Sequence, residues 1–365
     1  MSDTDLASVG DHFIIGLRPT PTLHPLDRDL LRDLRPAGVI LYKSNFRHDL
    51  PYDEWVSNHA KLIADVRETI GRDRIFIGID HEGGRVCRTP PPITRYAYAR
   101  SWGAKSGAIG AAMGVELASL GINLGFAPVL DIDSNPQNPV IGARSFDTTP
   151  EGVIAKASAF AKQLEAKGVR ACGKHFPGHG DTQVDSHYEL PVIDATLDEL
   201  RGGELLPFKA AVAAGFGMIM TSHILFKAID SVWPATLSRE ITHGLLREEL
   251  GFEGVIVSDD ISMRAVSALF DNADAAVQFI TAGNDLMMIC AHWADTERAR
   301  PLARRIIEGL HAGELNSRDL DRSKARIATM LESTDQNEVY RLSQDVFDAH
   351  AQAGPLYSDH TAEVI

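Results

Sequence analysis

A single-domain (β/α)8 barrel of the TIM type is the fold this sequence predicts, on three observations. Eight short apolar runs end in polar or turn residues, at 12–17, 38–42, 75–80, 123–132, 170–176, 217–223, 254–259 and 285–290, and stretches with helical spacing separate most of them. Runs such as Gly254-Val-Ile-Val-Ser-Asp259 and Asp285-Leu-Met-Met-Ile-Cys290 are continuously apolar, as parallel strands buried on both faces are. The ionisable residues gather where runs end, which in a barrel is the C-terminal rim that carries active sites. An open doubly wound sheet is the alternative, but no Gly-x-Gly-x-x-Gly follows the first run.

Taken in order, the first and second runs exit into turns, and a helix over 53–70 follows with Val56, Ala60, Ile63 and Val66 on one face. The third run exits into Asp80-His-Glu-Gly-Gly-Arg85, and the fourth closes on Asp131 and Asp133. Asn138-Pro-Val-Ile-Gly-Ala-Arg-Ser-Phe146 then reads as a turn-rich rim loop suited to positioning substrate. The fifth run ends at Lys174-His175, and a helix opens at Thr196 with Glu199 as its capping-box partner. The sixth run ends at His223 and the seventh at Asp259-Asp260. After about Asn316 the chain reads as helical and polar, with Val339, Leu342 and Val346 at helical spacing. We therefore expect a barrel domain over 1–333 and a helical tail over 334–365 that docks on the barrel or makes a dimer contact, leaving monomer and homodimer both open.

Composition narrows the function. With 44% hydrophobic and 24% charged residues in 365, the chain is an ordinary globular one, and a net charge of −14 supplies no basic patch for phosphate backbones or anionic membranes. No nucleic-acid or membrane partner is expected, and no stretch approaches the roughly 18 apolar residues of a membrane span. The N-terminus carries acids where a secretory signal has lysines or arginines, so a cytoplasmic protein is expected. Three scattered cysteines, Cys87, Cys172 and Cys290, suit a reducing compartment and core roles rather than disulfides.

The chemistry concentrates in Lys174-His-Phe-Pro-Gly-His-Gly-Asp-Thr-Gln-Val-Asp-Ser-His187. A core does not absorb so many ionisable groups, and the glycines and proline beside them read as a loop over a cleft. Asp185 and His187, two apart in an extended segment, lie on one side, where the carboxylate fixes the imidazole tautomer and stabilises its charged form. With an ordinary pKa of about 6.5, such a histidine serves as both acid and base near neutrality. Asp259 closes a β-branched strand; alternation puts it with Val255 and Val257, and Asp260 with Ile256 and Ser258, so only one carboxylate points along the barrel axis. Alternation alone leaves open which, and a helix cap is the structural reading for Asp260. Asp80, Arg85, Arg88, Arg144 and Lys174 suit hydrogen-bonding clamps for a hydroxyl-rich ligand. His175, His179, Asp181, Asp185 and His187 are also ligand types for zinc, but Phe-Pro-Gly between the first two histidines prevents a helix from aligning them and Lys174 repels a cation. No metal or other cofactor is expected.

These residues resemble the β-N-acetylhexosaminidases of glycoside hydrolase family 3, and within it the single-domain bacterial enzymes of peptidoglycan recycling. The likeness rests on Lys174-His-Phe-Pro-Gly-His-Gly-Asp-Thr182 followed by Asp185-Ser-His187. Supporting segments are Gly38-Val-Ile-Leu-Tyr42, Ile79-Asp-His-Glu-Gly-Gly-Arg-Val86, Phe126-Ala-Pro-Val-Leu-Asp131, Ile141-Gly-Ala-Arg-Ser-Phe146, Gly254-Val-Ile-Val-Ser-Asp259 and Ala282-Gly-Asn-Asp285, so it spans roughly residues 12 to 330. Larger members add a second α/β domain, for which this length leaves no room. The departures are Ile261, where leucine is more usual, and Cys87, where a polar residue is common.

The resemblance implies retaining hydrolysis of a terminal β-linked N-acetylglucosamine, with Asp259 as nucleophile, His187 paired to Asp185 as acid and base, and Asp80, Arg88, Arg144, Lys174 and His175 holding the sugar. It is what selects Asp259 over Asp260. A histidine acid is a departure from the two carboxyl groups, about 5 Å apart, of most retaining glycosidases. The implied partner is a small carbohydrate, a GlcNAc-containing muropeptide or a chitooligosaccharide. The alternatives are a β-glucosidase or an N-acetylglucosamine phosphorylase on the same scaffold, a catalytically idle sugar-binding protein, and a metal-dependent hydrolase.

Overall fold

Side-chain alternation along eight parallel strands organises the molecule, whose computed structural model describes residues 5–186, 188–291 and 295–358. The strands are β1 (Phe13–Gly16), β2 (Gly38–Leu41), β3 (Phe76–Ile79), β4 (Leu124–Gly125), β5 (Arg170–Phe176), β7 (Met218–Thr221), β9 (Val255–Ser258) and β10 (Met287–Ile289), with a small parallel pair, β6 (Val192–Ile193) and β8 (Leu225–Phe226), outside them. Their order is β10-β1-β2-β3-β4-β5-β7-β9. A parallel bridge between Val257 and Leu286 joins the two outer strands, so the sheet closes as the sequence predicts.

Two cores follow from the period of two. Ile14, Ile40, Phe76, Cys172, Met218, Met220, Val255, Val257, Met288 and Cys290 share one buried cluster inside the barrel. Their strand neighbours Phe13, Ile15, Val39, Leu41, Ile77, Ile79, Ile219 and Ile256 belong to the other, under the helices. Those helices are α1 (Pro25–Leu34), α2 (Tyr52–Ile70), α3 (Ser106–Ser119), α4 (Pro150–Glu165), α5 (Leu197–Gly202), α6 (Leu205–Ala213), a π-type helix over Glu240–Glu249, α7 (Arg264–Phe270), α8 (Asp274–Thr281), α9 (Ala299–His311), α10 (Ser317–Glu332) and α11 (Gln344–Ala351). Helix α2 buries Trp55, Val56, His59, Leu62, Ile63, Val66 and Ile70, and stops at Gly71, whose φ of 63° only glycine adopts cheaply. The capping box expected at Thr196 and Glu199 is present.

Two expectations are corrected. The fourth run pairs as a strand only over Leu124–Gly125; Pro128 lacks an N–H, so the chain beyond runs irregularly and touches β5 again through the bridge from Val129 to Lys174. Helix α10 lies within the expected barrel domain: Ile327, Met330 and Leu331 pack into the lumen cluster. The tail is not helical at Val339 and Leu342: Val339 pairs with Leu120 in a β-bridge, the Leu342 amide donates to the Tyr52 hydroxyl at 3.0 Å, and helix starts only at Gln344. The tail docks on its own barrel, with Phe347 edge-on to Tyr52 and His350 Nδ1 2.7 Å from the buried Glu116 carboxylate. Its last described residues lie against the loop after β3, where the Tyr357 amide donates to the Arg95 carbonyl at 2.9 Å.

Candidate active site

The parity that builds the lumen carries particular side chains to its upper mouth. Asp80 continues the register of Phe76 and Gly78, Lys174 that of Cys172, and Asp259 that of Val255 and Val257, all on the lumen side. Of the two adjacent carboxylates, Asp259 thus shares the lumen side with Val255 and Val257. Asp260 turns the other way and is buried, its Oδ1 accepting from the amides of Ser262 at 2.9 Å and Cys290 at 3.0 Å. Burial pushes its carboxyl up to about 7, against those two donors, and the neighbouring Asp259 adds to the rise.

Two cations and two carboxylates form a closed network beside this mouth. Lys174 Nζ lies 2.8 Å from Asp80 Oδ1 and 2.6 Å from Glu82 Oε1. Arg144 clasps the same Glu82 through Nε at 2.8 Å and its terminal nitrogen at 2.9 Å. Burial alone would raise the Glu82 carboxyl, but Arg144 and Lys174 hold it well below the usual range. Burial would likewise lower Lys174, and Asp80 and Glu82 overcome it, keeping the ammonium charged. Glu82 is one of the residues that the sequence did not single out. Its only signal was its place two residues after Asp80 at a strand exit.

A second cluster, around Asp131, fixes the start of the loop that follows β5. The fully buried Asp131 accepts from the His175 amide at 3.1 Å, the His175 Nδ1 at 2.6 Å and the His179 amide at 2.8 Å. Burial opposes its ionisation, and His175 and His179 more than offset this, so the carboxyl sits below its ordinary pKa. His179 is buried and lowered to about 4, first by burial and then by His175. Its Nδ1 lies 2.9 Å from the Thr182 hydroxyl and its Nε2 2.8 Å from that of Ser186. Asn138 completes the tether, donating to the carbonyls of His179 and Gly180 at 2.8 Å each. Ser186, between Asp185 and His187, is therefore anchored. Asp185 is half-buried, and its carbonyl accepts from the Tyr188 and Glu189 amides at 3.0 Å. His187 itself lies outside the described residues.

The remaining site residues divide. Arg88 is half-buried with its guanidinium 5.7 Å from the centre of the Tyr42 ring, and its buried Nε has no hydrogen-bond partner among the described residues. Arg85 is exposed and donates to the Val140 carbonyl at 3.1 Å, so it supports the rim loop and does not join the clamp. His223 was noted only as a strand end; its Nε2 lies 3.0 Å from the Asp260 carbonyl and its Nδ1 2.9 Å from the Thr236 hydroxyl, bracing the turn that presents Asp259. Both ring nitrogens of His179 are engaged, and among the described residues no group of three or more His, Cys, Asp or Glu is arranged to hold a metal ion.

Residues 23–330 match the family described as the glycosyl hydrolase family 3 N terminal domain, and the chain belongs to that family. It is 38% identical over 333 residues to beta-hexosaminidase A of Pseudoalteromonas piscicida, covering 85% of this chain but only 55% of that longer protein. The beta-hexosaminidase of Methylococcus capsulatus is 37% identical over 74% of this chain and 80% of its own length. Among solved structures, the beta-N-acetylhexosaminidase of Beutenbergia cavernae superposes with a TM-score of 0.79 at 30% identity, over 91% of this chain and all of that one. NagZ of Neisseria gonorrhoeae, in complex with N-trifluoroacetyl-D-glucosamine, gives 0.77 at 29% identity over 94% of this chain and 96% of that one.

Proposed function

We propose that the protein is a retaining exo-β-N-acetylglucosaminidase that removes terminal β-linked N-acetylglucosamine, with muropeptides of cell-wall recycling in the cytoplasm as its substrates. The observation that carries the reading is convergence. Asp259, the Asp80-Lys174-Glu82-Arg144 network and the anchored loop bearing Asp185 all belong to one mouth of one barrel. The beta-hexosaminidase names of its relatives, and the N-trifluoroacetyl-D-glucosamine complex of one of them, support an N-acetylated sugar.

In this mechanism the Asp259 carboxylate forms a bond to the anomeric carbon as the bond to the aglycone oxygen breaks, and His187 gives that oxygen its proton. Water then attacks the glycosyl-enzyme, His187 takes the water's proton, and Asp259 leaves as the carboxylate. Two inversions retain configuration. Lys174, Arg88, Arg144, His175 and Asp80 hold the sugar hydroxyls, and Asp185 orients the imidazole. The direct test compares a chromogenic N-acetylglucosaminide with the matching glucoside: turnover of the glucoside at an equal rate would sink the hexosaminidase assignment.

The acid role has its own signature. His187→Ala is expected to lose roughly 100-fold or more on an alkyl or sugar aglycone, whose oxygen needs a proton, and little on an activated phenol. Equal losses on both substrates would remove His187 from the acid role.

A further inference from the structure

Behind the loop that starts at Pro177 lies a cavity of about 1050 Å³, lined among others by Ile132, Asp181, Glu189, Asp194, Glu199 and Glu204. No lysine, arginine or histidine lines it among the described residues. Glu204, at the head of α6, sits between this cavity and the loop's glycines. A Cβ on Gly178 would lie 2.7 Å from Glu204 Cβ and 2.9 Å from its Oε2; one on Gly180 would lie 3.1 Å from Oε1 and 1.7 Å from the Ile132 carbonyl. Both glycines are therefore required by close approach, and the carboxyl fills the space their missing side chains leave. On its far side Glu204 Oε1 accepts from the Ser134 hydroxyl at 2.9 Å, in the irregular stretch that follows β4. Glu204 Oε2 is buried with no hydrogen-bond partner among the described residues.

We propose that Glu204 is a positioning residue for the catalytic loop, keying its Gly178–Gly180 hinge to the stretch after β4 while the carboxyl is neutral and releasing it toward the cavity behind when the carboxyl ionises. The proposal rests on the reading of the 177–190 loop as the carrier of the acid/base. The charged groups facing Glu204 are carboxylates: Asp131 in the stretch after β4 and Asp181 on the loop, with Glu189, Asp194 and Glu199 around the cavity. An ionised Glu204 therefore meets repulsion and one unsatisfied oxygen, against the Ser134 hydroxyl and a backbone bond from Ile132, whereas the neutral acid keeps the Ser134 bond and meets no repulsion. Burial raises its pKa to about 7, with the Ser134 hydroxyl and the Ile132 backbone opposing burial and Asp131 and Asp181 adding to it.

Hydrogen exchange of the loop amides 178–186, corrected for intrinsic base catalysis, tests this without reference to turnover. In the wild-type protein protection is expected to fall about tenfold between pH 6 and pH 8. Glu204→Gln, neutral at every pH and equal in shape, should keep the pH 6 protection at both. Ser134→Ala should show the unprotected behaviour at both, and its melting temperature reports that it folds. In the pH profile of kcat/KM with a sugar aglycone, Glu204→Gln should remove one ionisation from the alkaline limb, so its slope falls by one. Equal wild-type protection at pH 6 and 8, or the same drop in Glu204→Gln, would overturn the proposal. A protection switch that appears as expected beside an unchanged kcat/KM profile would instead leave Glu204 the loop's latch and show that the loop is not catalytic.

Discussion

Asp259→Asn is expected to fold as the wild type does and to lose at least about 10³-fold in kcat on every β-N-acetylglucosaminide, activated or not. A nucleophile is needed whatever the leaving group, and a factor of about 10³ corresponds to roughly 4 kcal/mol of lost barrier reduction. The amide has the size and one acceptor oxygen of the carboxylate, so its neighbours keep their packing. Its backbone amide stays bonded to the Thr221 carbonyl at 3.0 Å, which holds the turn after β9 in place. Retention of more than a tenth of wild-type rate would remove Asp259 from the role.

The adjacent carboxyl supplies the control. Asp260 is buried and lifted to about 7, and its bonded oxygen accepts two backbone amides that an asparagine oxygen also accepts. Asp260→Asn should therefore keep activity within about tenfold of wild type, since only interactions made in the transition state alter kcat strongly. It should also change the pH dependence of stability. Because the folded pKa lies above the ordinary value of 3.8, the native state holds a proton the unfolded chain has lost, and stability falls as pH rises from about 4 to about 7. Asp260→Asn should flatten that part of a plot of Tm against pH. An unchanged plot would mean that Asp260 ionises normally in the folded protein.

Much of this arrangement was legible because a strand's period is exact over short runs. Val255, Val257 and Asp259 share a side by counting alone; what counting does not supply is which side faces the lumen, and that emerges only when Val255 and Ile256 fall into different cores. The polar strand exits at Asp80, Lys174 and His223 were visible for the same reason. The irregular stretch after Gly125 and the extended tail at Val339 were not, because apolar spacing does not report whether a partner strand is available to complete the ladder. Glu82, Asn138 and Glu204 escaped for a different reason. Each acts through residues far along the chain, Glu82 through Arg144 and Lys174, Asn138 through His179 and Gly180, and Glu204 through Ser134, and a single sequence carries no periodic signal for such pairs.

Glu82→Gln should do more damage than its chemical mildness suggests. Glu82 is the hub of the network, shared by Arg144 and Lys174, and all three side chains are at most 9% exposed. Replacing the carboxylate by an amide removes one of two negative charges opposing two buried cations and turns one side of the hub from acceptor to donor. Breaking such a pair on one side typically costs about 3–5 kcal/mol, because the charge left behind has no water to replace its partner. Part of that cost should appear as a lower Tm. The rest should appear in the site, since Glu82 holds in place Lys174 and Arg144, the two residues proposed above to hold the sugar, giving roughly a hundredfold loss in kcat/KM. The sign of the pH effect follows from the depressed carboxyl: its contribution is complete above the ordinary glutamate pKa of 4.5 and is lost as pH falls below that toward the folded value. The gap in Tm between wild type and Glu82→Gln should therefore be widest near neutrality and close on acidification. A gap that stays constant from pH 7 down to about pH 3 would show that the Glu82 carboxylate is not what stabilises the two cations.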